Sequence, residues 1–186
     1  MRNLIYVINL SIDGCCDHTK FRPDEETFEY FLHLVRATGT FLYGRKTYQL
    51  MVPYWPDVLK NPSGETKADY EYAEAFVAVD KMVVFSKSLD KVEGKNTRIV
   101  RTSLEDEIHK LKQEPGKDIL TGGVDIPSQL AELGLIDEYR IVVHPLVVGE
   151  GRRLFDGVSL QEKLRLKLAG ATVFKSGTVA LRYLKQ

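Results

Sequence analysis

Apolar and polar positions recur with two different periods along this chain, and the changes of period mark its elements. Leu4 to Leu10 is a nearly continuous apolar run closed by Asp13-Gly14, the pattern of a strand buried on both faces. Pro23-Asp24-Glu25-Glu26 reads as a helix start, with proline and acids where free N–H groups and the positive dipole end favour them. Phe28, Phe31, Leu32 and Val35 then recur at helical spacing, and Gly39 is expected to end that helix. Thr40 to Tyr43 predicts a short buried strand closed by Gly44, followed by a short helix over 46–52. The stretch from Val52 to Gly64 carries three prolines with Gly and Asn, which predicts a loop whose aromatic part is Pro53-Tyr54-Trp55-Pro56.

Further along, Lys67 to Val79 predicts a helix with Tyr72, Ala75 and Phe76 inward. Lys81 to Phe85 and Thr97 to Val100 read as strands, and Ser103 caps a helix running to Lys112, since an acid follows three residues after it. Asp118 to Thr121 is a strand, Gly122-Gly123 a tight turn, Ile126 to Glu132 a helix and Tyr139 to Val143 another strand. Leu164, Leu166 and Leu168 alternate, Lys175-Ser176-Gly177 turns, and Val179, Leu181 and Tyr183 alternate again, which is a hairpin. Strands alternating with helices before a terminal hairpin imply an α/β fold: a mostly parallel sheet, helices on both faces and an antiparallel edge. The span 1–186 is expected to be a single domain.

Composition narrows the partners. Lys plus Arg equals Asp plus Glu, 26 against 26, which argues against a nucleic-acid or membrane-surface protein and leaves a small-molecule ligand as the expectation. The two cysteines, Cys15 and Cys16, are adjacent and offer no disulfide framework, which fits a reducing compartment. Cys-Cys-Asp-His lacks the two-to-four-residue ligand spacing of structural zinc sites, so no metal is expected. The opening residues do not form a signal segment, and no window approaches eighteen apolar residues. Cytoplasm is the expected location.

Two glycine turns carry the candidate chemistry. A strand–Gly–helix junction presents backbone N–H groups at a positive dipole end, where a phosphate meets several donors at little reorganisation cost. Gly44 opens such a junction, and Arg45, Lys46 and Thr47 add two cations and a hydroxyl, a set suited to the 2′-phosphate of NADP. Thr121-Gly122-Gly123 has the same logic with fewer charges and suits a pyrophosphate. Plain glycine turns with solvated cations would look the same in sequence. The Gly-x-Gly-x-x-Gly fingerprint is absent, so this is not an ordinary Rossmann site.

Five segments in order resemble the reductase domain of the bacterial bifunctional riboflavin-biosynthesis deaminase-reductase and the stand-alone dihydrofolate reductase-like proteins related to it. They are Ser11-Ile12-Asp13-Gly14, Phe41 to Tyr48, Pro53-Tyr54-Trp55-Pro56, Leu120 to Gly123, and Pro145 to Gly151 ending in Leu154-Phe155. The resemblance spans essentially the whole chain. It implies a three-layer dihydrofolate reductase-like fold, NADPH and hydride transfer to a pteridine-like or pyrimidine-like substrate. It also implies that Arg45, Lys46 and Thr47, with Ser86 and Lys87, lie on the adenosine side. Gly122, Gly123 and Val124 would hold the pyrophosphate, and Leu10, Ser11 and Ile12 would line the nicotinamide. The bifunctional enzyme typically carries Glu before its second glycine turn where this chain has Thr121, and the His and paired-Cys spacing of its deaminase zinc site does not occur in these residues.

Dihydrofolate reductases place a carboxylate on the first helix to support protonation. Counting back from Gly44, that position falls at Thr27 or Phe28, with Glu26 the nearest acid. Glu26 serves if burial raises its pKa, and is otherwise a solvated helix-start acid. Asp13 competes for the same role or is a turn residue before Gly14. Tyr54 and Trp55 either wall a flat-ring pocket or pack into their own segment. His144 is expected to be a satisfied residue at a strand end, and Arg152 and Arg153 to face water. The exposed edges of the terminal hairpin point to a homodimer.

Overall fold

In the computed structural model, which describes residues 1–61, 63–94, 96–160 and 163–186, the apolar runs form eight strands. These are β1 (Leu4–Ser11), β2 (Thr38–Gly44), β3 (Lys81–Phe85), β4 (Thr97–Val100), β5 (Asp118–Thr121), β6 (Glu138–His144), β7 (Leu166–Val173) and β8 (Val179–Lys185). They join one sheet in the order β4-β3-β2-β5-β1-β6-β8-β7. Neighbours from β4 to β6 pair in parallel, and β8 lies antiparallel between β6 and β7.

Five α-helices occur among the described residues: α1 (Glu25–Arg36), α2 (Arg45–Lys60), α3 (Lys67–Val77), α4 (Leu104–Gln113) and α5 (Asp125–Glu132). Because side chains alternate along a strand, the sheet feeds two cores. Leu4, Tyr6, Leu42, Val83 and Ile119 pack with Ile108 and Leu111 of α4 and Leu130 of α5. Phe41, Tyr43, Met82, Val84 and Leu120 pack with Val35 of α1, Trp55 and Val58 of α2, and Phe76 of α3. The result is three layers, as the alternation of elements implied.

Four expectations need correction. The segment read as a loop from Val52 onward is helix as far as Lys60, with Pro53 and Pro56 inside it; Pro62 lies outside the described residues. Each internal proline removes an N–H donor from the helix ladder. The helix persists because its apolar stripe, Tyr48, Met51, Val52, Trp55 and Val58, is continuous through the prolines and faces the second core. Trp55 is therefore buried rather than a pocket wall: its ring centroid lies 4.4 Å from that of Tyr72 and 6.1 Å from that of Phe28.

Gly39 does not end α1, which closes at Ala37; Gly39 sits inside β2, where a Cβ would lie 3.1 Å from the Cβ of Lys117. The hairpin begins at Leu166 rather than Leu164, and its register shifts between Leu168 and Gly170. The remaining boundaries agree to within two residues.

Phe76 is 2% exposed and stacks on Phe41 with centroids 5.0 Å apart. Phe76→Ala should lower the unfolding free energy by about 3–5 kcal/mol. Urea unfolding followed by Trp55 fluorescence and circular dichroism measures this, and a loss below about 1 kcal/mol would contradict the packing described.

Candidate active site

Parallel strands bring their C-terminal ends to one edge of the sheet, where open α/β proteins place ligands. Here that edge gathers Ser11, Gly44, Phe85, Thr121 and His144. The register of β2 on β5 aligns Leu42 with Thr121, so Gly44 and Gly123, each two residues further on, emerge side by side.

Helices α1, α3 and α4 begin with side-chain caps from Asp24, Thr66 and Ser103. Helices α2 and α5, which follow the two glycine turns, have none: their N-caps, Gly44 and Val124, make no side-chain cap hydrogen bond. The first N–H groups of a helix lack intrahelical partners, so these two starts hold donors that an anion can take. They also abut. Gly123 has φ +82, and a Cβ there would fall 2.3 Å from the Thr47 hydroxyl oxygen. A Cβ at Gly44 would fall 2.9 Å from Cγ1 of Ile126. The Tyr6 hydroxyl donates to the Gly123 carbonyl at 2.8 Å and fixes the second turn from below.

Around these starts, Arg45 and Lys46 are exposed. Lys46 Nζ lies 3.7 Å from Asp125, whose other carboxylate oxygen accepts from Arg152. Ser86 Oγ accepts the N–H groups of Ser88 and Leu89, shaping the turn that exposes Lys87. The Thr121 side chain faces away from this surface: its hydroxyl donates to the Leu42 carbonyl at 2.8 Å within the sheet. Two uncapped helix starts, a glycine whose side chain would collide, and cations beside them fit the phosphates of a dinucleotide. Among the described residues no group of three or more His, Cys, Asp or Glu is arranged to hold a metal ion.

Leu10 and Ser11 are buried at the end of β1, and Ile12 is 64% exposed above them. The loop that follows is pinned to the segment after β6. The Asp13 carboxylate accepts from the Ser11 hydroxyl at 2.6 Å and from the N–H groups of Val148 and Gly149 at 3.1 and 2.9 Å. Arg153 reaches both the carbonyl and the carboxylate of Asp13. The Ser11 hydroxyl first, then the Val148 and Gly149 N–H groups, hold the Asp13 carboxyl well below the usual carboxylate range. Asp13 is thus an ionised clamp, which corrects its expected role as a proton donor.

Glu26 is corrected in the same way. It accepts from the Lys175 N–H at 2.9 Å and pairs with its ammonium at 2.9 Å, and these contacts lower its pKa rather than raise it. Its work is to tie the β7–β8 turn to α1. Arg152 and Arg153, read as facing water, instead bind Asp125 and Asp13.

Asp24 is the residue the sequence reading passed over. It caps α1, accepting from the Thr27 N–H at 2.7 Å, and it lines a cavity of about 280 Å³ between the starts of α1 and α3 with Arg22, Phe28, Lys67 and Asp69. Burial pushes its carboxyl upward, but hydrogen bonds from Ser176 and Thr27, with His144 nearby, bring the net shift below the ordinary value. The Pro-Asp-Glu-Glu signature reads Asp24 only as one of the acids of a helix start, which hides both its cap and its place on a cavity. Tyr54, 46% exposed, does not line the cavity itself but lies near Arg22 and Asp69, which do. His144 stacks on Phe21 at 5.0 Å and bonds Asn9 Oδ1 through Nε2 at 2.8 Å, a satisfied strand-end histidine; burial lowers its pKa, which Asp24 partly offsets.

Three layers with this strand order form a dihydrofolate reductase-like fold. The chain superimposes on dihydrofolate reductase of Enterococcus faecalis complexed with NADP(H) with a TM-score of 0.64 at 11% identity, covering 99% of this chain and 96% of that one. The diaminohydroxyphosphoribosylaminopyrimidine deaminase/5-amino-6-(5-phosphoribosylamino)uracil reductase of Thermotoga maritima gives a TM-score of 0.69 at 16% identity, over 100% of this chain and 57% of that one. The Bacillus subtilis protein YyaP is 35% identical over 154 residues, which is 82% of this chain and 77% of YyaP. The chain belongs to the RibD C-terminal domain family, whose model matches residues 2–180. No helix among the described residues is long and apolar enough to cross a membrane.

Because the folded-state pKa of Asp13 is depressed, its clamp contributes stability above its unfolded pKa of about 3.9, lost as pH falls through the folded value. Asp13→Asn should therefore lower the melting temperature at pH 7, with the gap to the parent protein closing below about pH 4. A gap of equal size at pH 7 and at the lowest pH where both still fold would show that the carboxylate charge does not matter.

Proposed function

We propose that this protein is an NADPH-dependent reductase that transfers a hydride to a pyrimidine-like or pteridine-like ring. The observation that carries this reading is the pair of uncapped helix starts meeting at Thr47 and Gly123, with Arg45 and Lys46 beside them. Membership of the RibD C-terminal domain family supports it. So do two neighbours of the same fold, one a uracil-derivative reductase and one complexed with NADP(H).

In this reading the cofactor supplies the hydride, and the chain supplies binding, alignment and exclusion of water. Arg45 and Lys46, with Thr47, receive the 2′-phosphate, and Ser86 and Lys87 border the adenosine. The N–H groups after Gly122, Gly123 and Val124 receive the pyrophosphate. Leu10, Ser11 and Ile12 present backbone groups to the nicotinamide, held in place by the Asp13 clamp. The substrate ring lies toward the cavity of Asp24, near Tyr54, where an ionised carboxylate accepts ring N–H donors. Thr121 keeps a place beside the cofactor only through its backbone. We place the protein in the cytoplasm, and the riboflavin-type substrate is the first to try.

A second reading is an NADP(H)-binding module without efficient catalysis. The ionised state of Asp13, Glu26 and Asp24 favours it, because none of these acids stands ready to give a proton near neutral pH. NADPH oxidation with a panel of pyrimidines and pteridines separates the two.

We further propose that the protein is a homodimer through one face of its terminal hairpin rather than through its edge. The registers of β6, β8 and β7 set Tyr139, Tyr183 and Leu168 in one row, Ile141, Leu181 and Ala171 in the next, and Val143, Val179 and Val173 in a third. Tyr139 is buried in the first core, Leu168 and Val173 are 53% and 74% exposed at the outer strand, and no charge interrupts the rows. With strands about 4.8 Å apart and rows about 7 Å apart, this face spans roughly 10 by 14 Å before Ile12, which lines a pocket with Val143, Val179 and Leu181, is added. An uncharged patch meets its own copy across a two-fold axis without like-charge repulsion.

Two measurements check this subsection. Arg45→Ala should weaken NADPH binding by about tenfold or more and NADH far less, since the guanidinium reads only the extra phosphate. Calorimetry giving equal losses for both cofactors, or no NADPH binding at millimolar concentration, would refute the assignment. Light scattering should show a dimer for the parent protein and a monomer for the Leu168→Lys, Val173→Lys double variant; a monomeric parent protein would refute the assembly.

A further inference from the structure

Asp125 is the first residue of α5, at the helix start that the proposed cofactor's pyrophosphate would use. A carboxylate is an unexpected tenant there. The same field that favours a phosphate also favours an aspartate, and two anions cannot share it without repulsion.

We propose that Asp125 is a tethered competitor for the cofactor: a carboxylate that occupies Lys46 and Arg152 and so sets how tightly an anionic ligand binds at the second glycine turn. This rests on reading the two glycine turns as a dinucleotide site.

Each carboxylate oxygen is engaged by a different cation. Oδ1 accepts from the Arg152 guanidinium, and Oδ2 lies 3.7 Å from Lys46 Nζ. Those cations come from opposite sides of the turn, Lys46 from the first turn of α2 and Arg152 from the segment after β6. Asp125 therefore bridges the two sides of the turn with its charge. The side chains of Lys46, Asp125 and Arg152 are 77, 50 and 46% exposed, so water screens the pairs and they exchange easily. The Asp125 carboxyl sits below its ordinary value, the Arg152 hydrogen bond first among the causes, so it is fully ionised when a cofactor arrives.

Exchange needs only side-chain motion. The Arg152 carbonyl accepts the Cys16 N–H at 2.9 Å, and neighbouring Arg153 is held by Asp13, so the main chain under Arg152 is fixed. A dinucleotide that sets its 2′-phosphate beside Lys46 and its pyrophosphate beside Arg152 draws both cations from Asp125, which turns to water. The cost of that exchange, with the residual repulsion, is subtracted from the affinity. Loose retention of the cofactor suits an enzyme that must release it each cycle.

Asp125→Asn keeps the shape and removes the charge; Asp125→Ser does so with a residue that also starts helices well. At low ionic strength both variants should bind NADPH about three- to tenfold more tightly than the parent protein, as removal of one nearby, partly screened like charge requires. Inorganic pyrophosphate should compete for the same site and show the same gain, and both gains should shrink at 0.5 M salt, where the Debye length is about 4 Å. If the parent protein binds NADPH and both folded variants bind it equally or more weakly, Asp125 is a support of the site and the inference fails while the cofactor reading stands. If the parent protein binds neither NADPH nor pyrophosphate, the glycine-turn reading itself fails, and the inference with it.

Discussion

At the centre of the sheet, the side-by-side exit of Gly44 after β2 and Gly123 after β5 governs what the rest of the molecule can do. Strand β5 lies between β1 and β2, and the Leu42–Thr121 register brings both strand ends out level. The Thr121 hydroxyl on the Leu42 carbonyl holds that register from inside. Only a residue without a side chain, able to take φ +82, fits against the Thr47 hydroxyl at position 123. Both helices then start within reach of one another, and neither start is capped by a side chain. The donors are left for something else, which is the physical basis of the candidate site.

Charge around this edge is arranged in short pairs between loops rather than left free. Asp13 joins the β1 loop to the segment after β6, Glu26 joins α1 to the β7–β8 turn, and Asp125 joins α5 to Lys46 and Arg152. Each pair is partly exposed and contributes little to stability by itself. Their common effect is positional: each pair ties a connection at this edge to another element. The same pairing keeps these carboxylates ionised, so they serve as acceptors and anchors and not as acids.

The helical layer shows how packing overrides local preference. Pro53 and Pro56 weaken the ladder of α2, yet Trp55 and Val58 are buried against α1 and α3. Burial of an indole and an isopropyl group outweighs two missing N–H donors whose loss falls at a helix already amphipathic through the prolines. The stripe Tyr48, Met51, Val52, Trp55, Val58 was present in the sequence, but proline counting masked it.

The sequence by itself determined the order of elements, the strands of the parallel sheet, the Asp24 and Ser103 helix starts and the two glycine turns, because periodicity, caps and glycines act over a few residues. Strands Lys81–Phe85, Thr97–Val100 and Asp118–Thr121 were legible to the residue. What it could not determine were contacts between residues distant along the chain, from 27 to 149 positions apart. The Asp13 clamp on Val148 and Gly149, the Lys175 partner of Glu26 and the Arg152 partner of Asp125 exist only once the sheet order is set. Those contacts decide ionisation, which depends on neighbours in space. The residue types named the candidates, and only the tertiary structure turned two expected acids into anchors and brought Asp24 to a cavity.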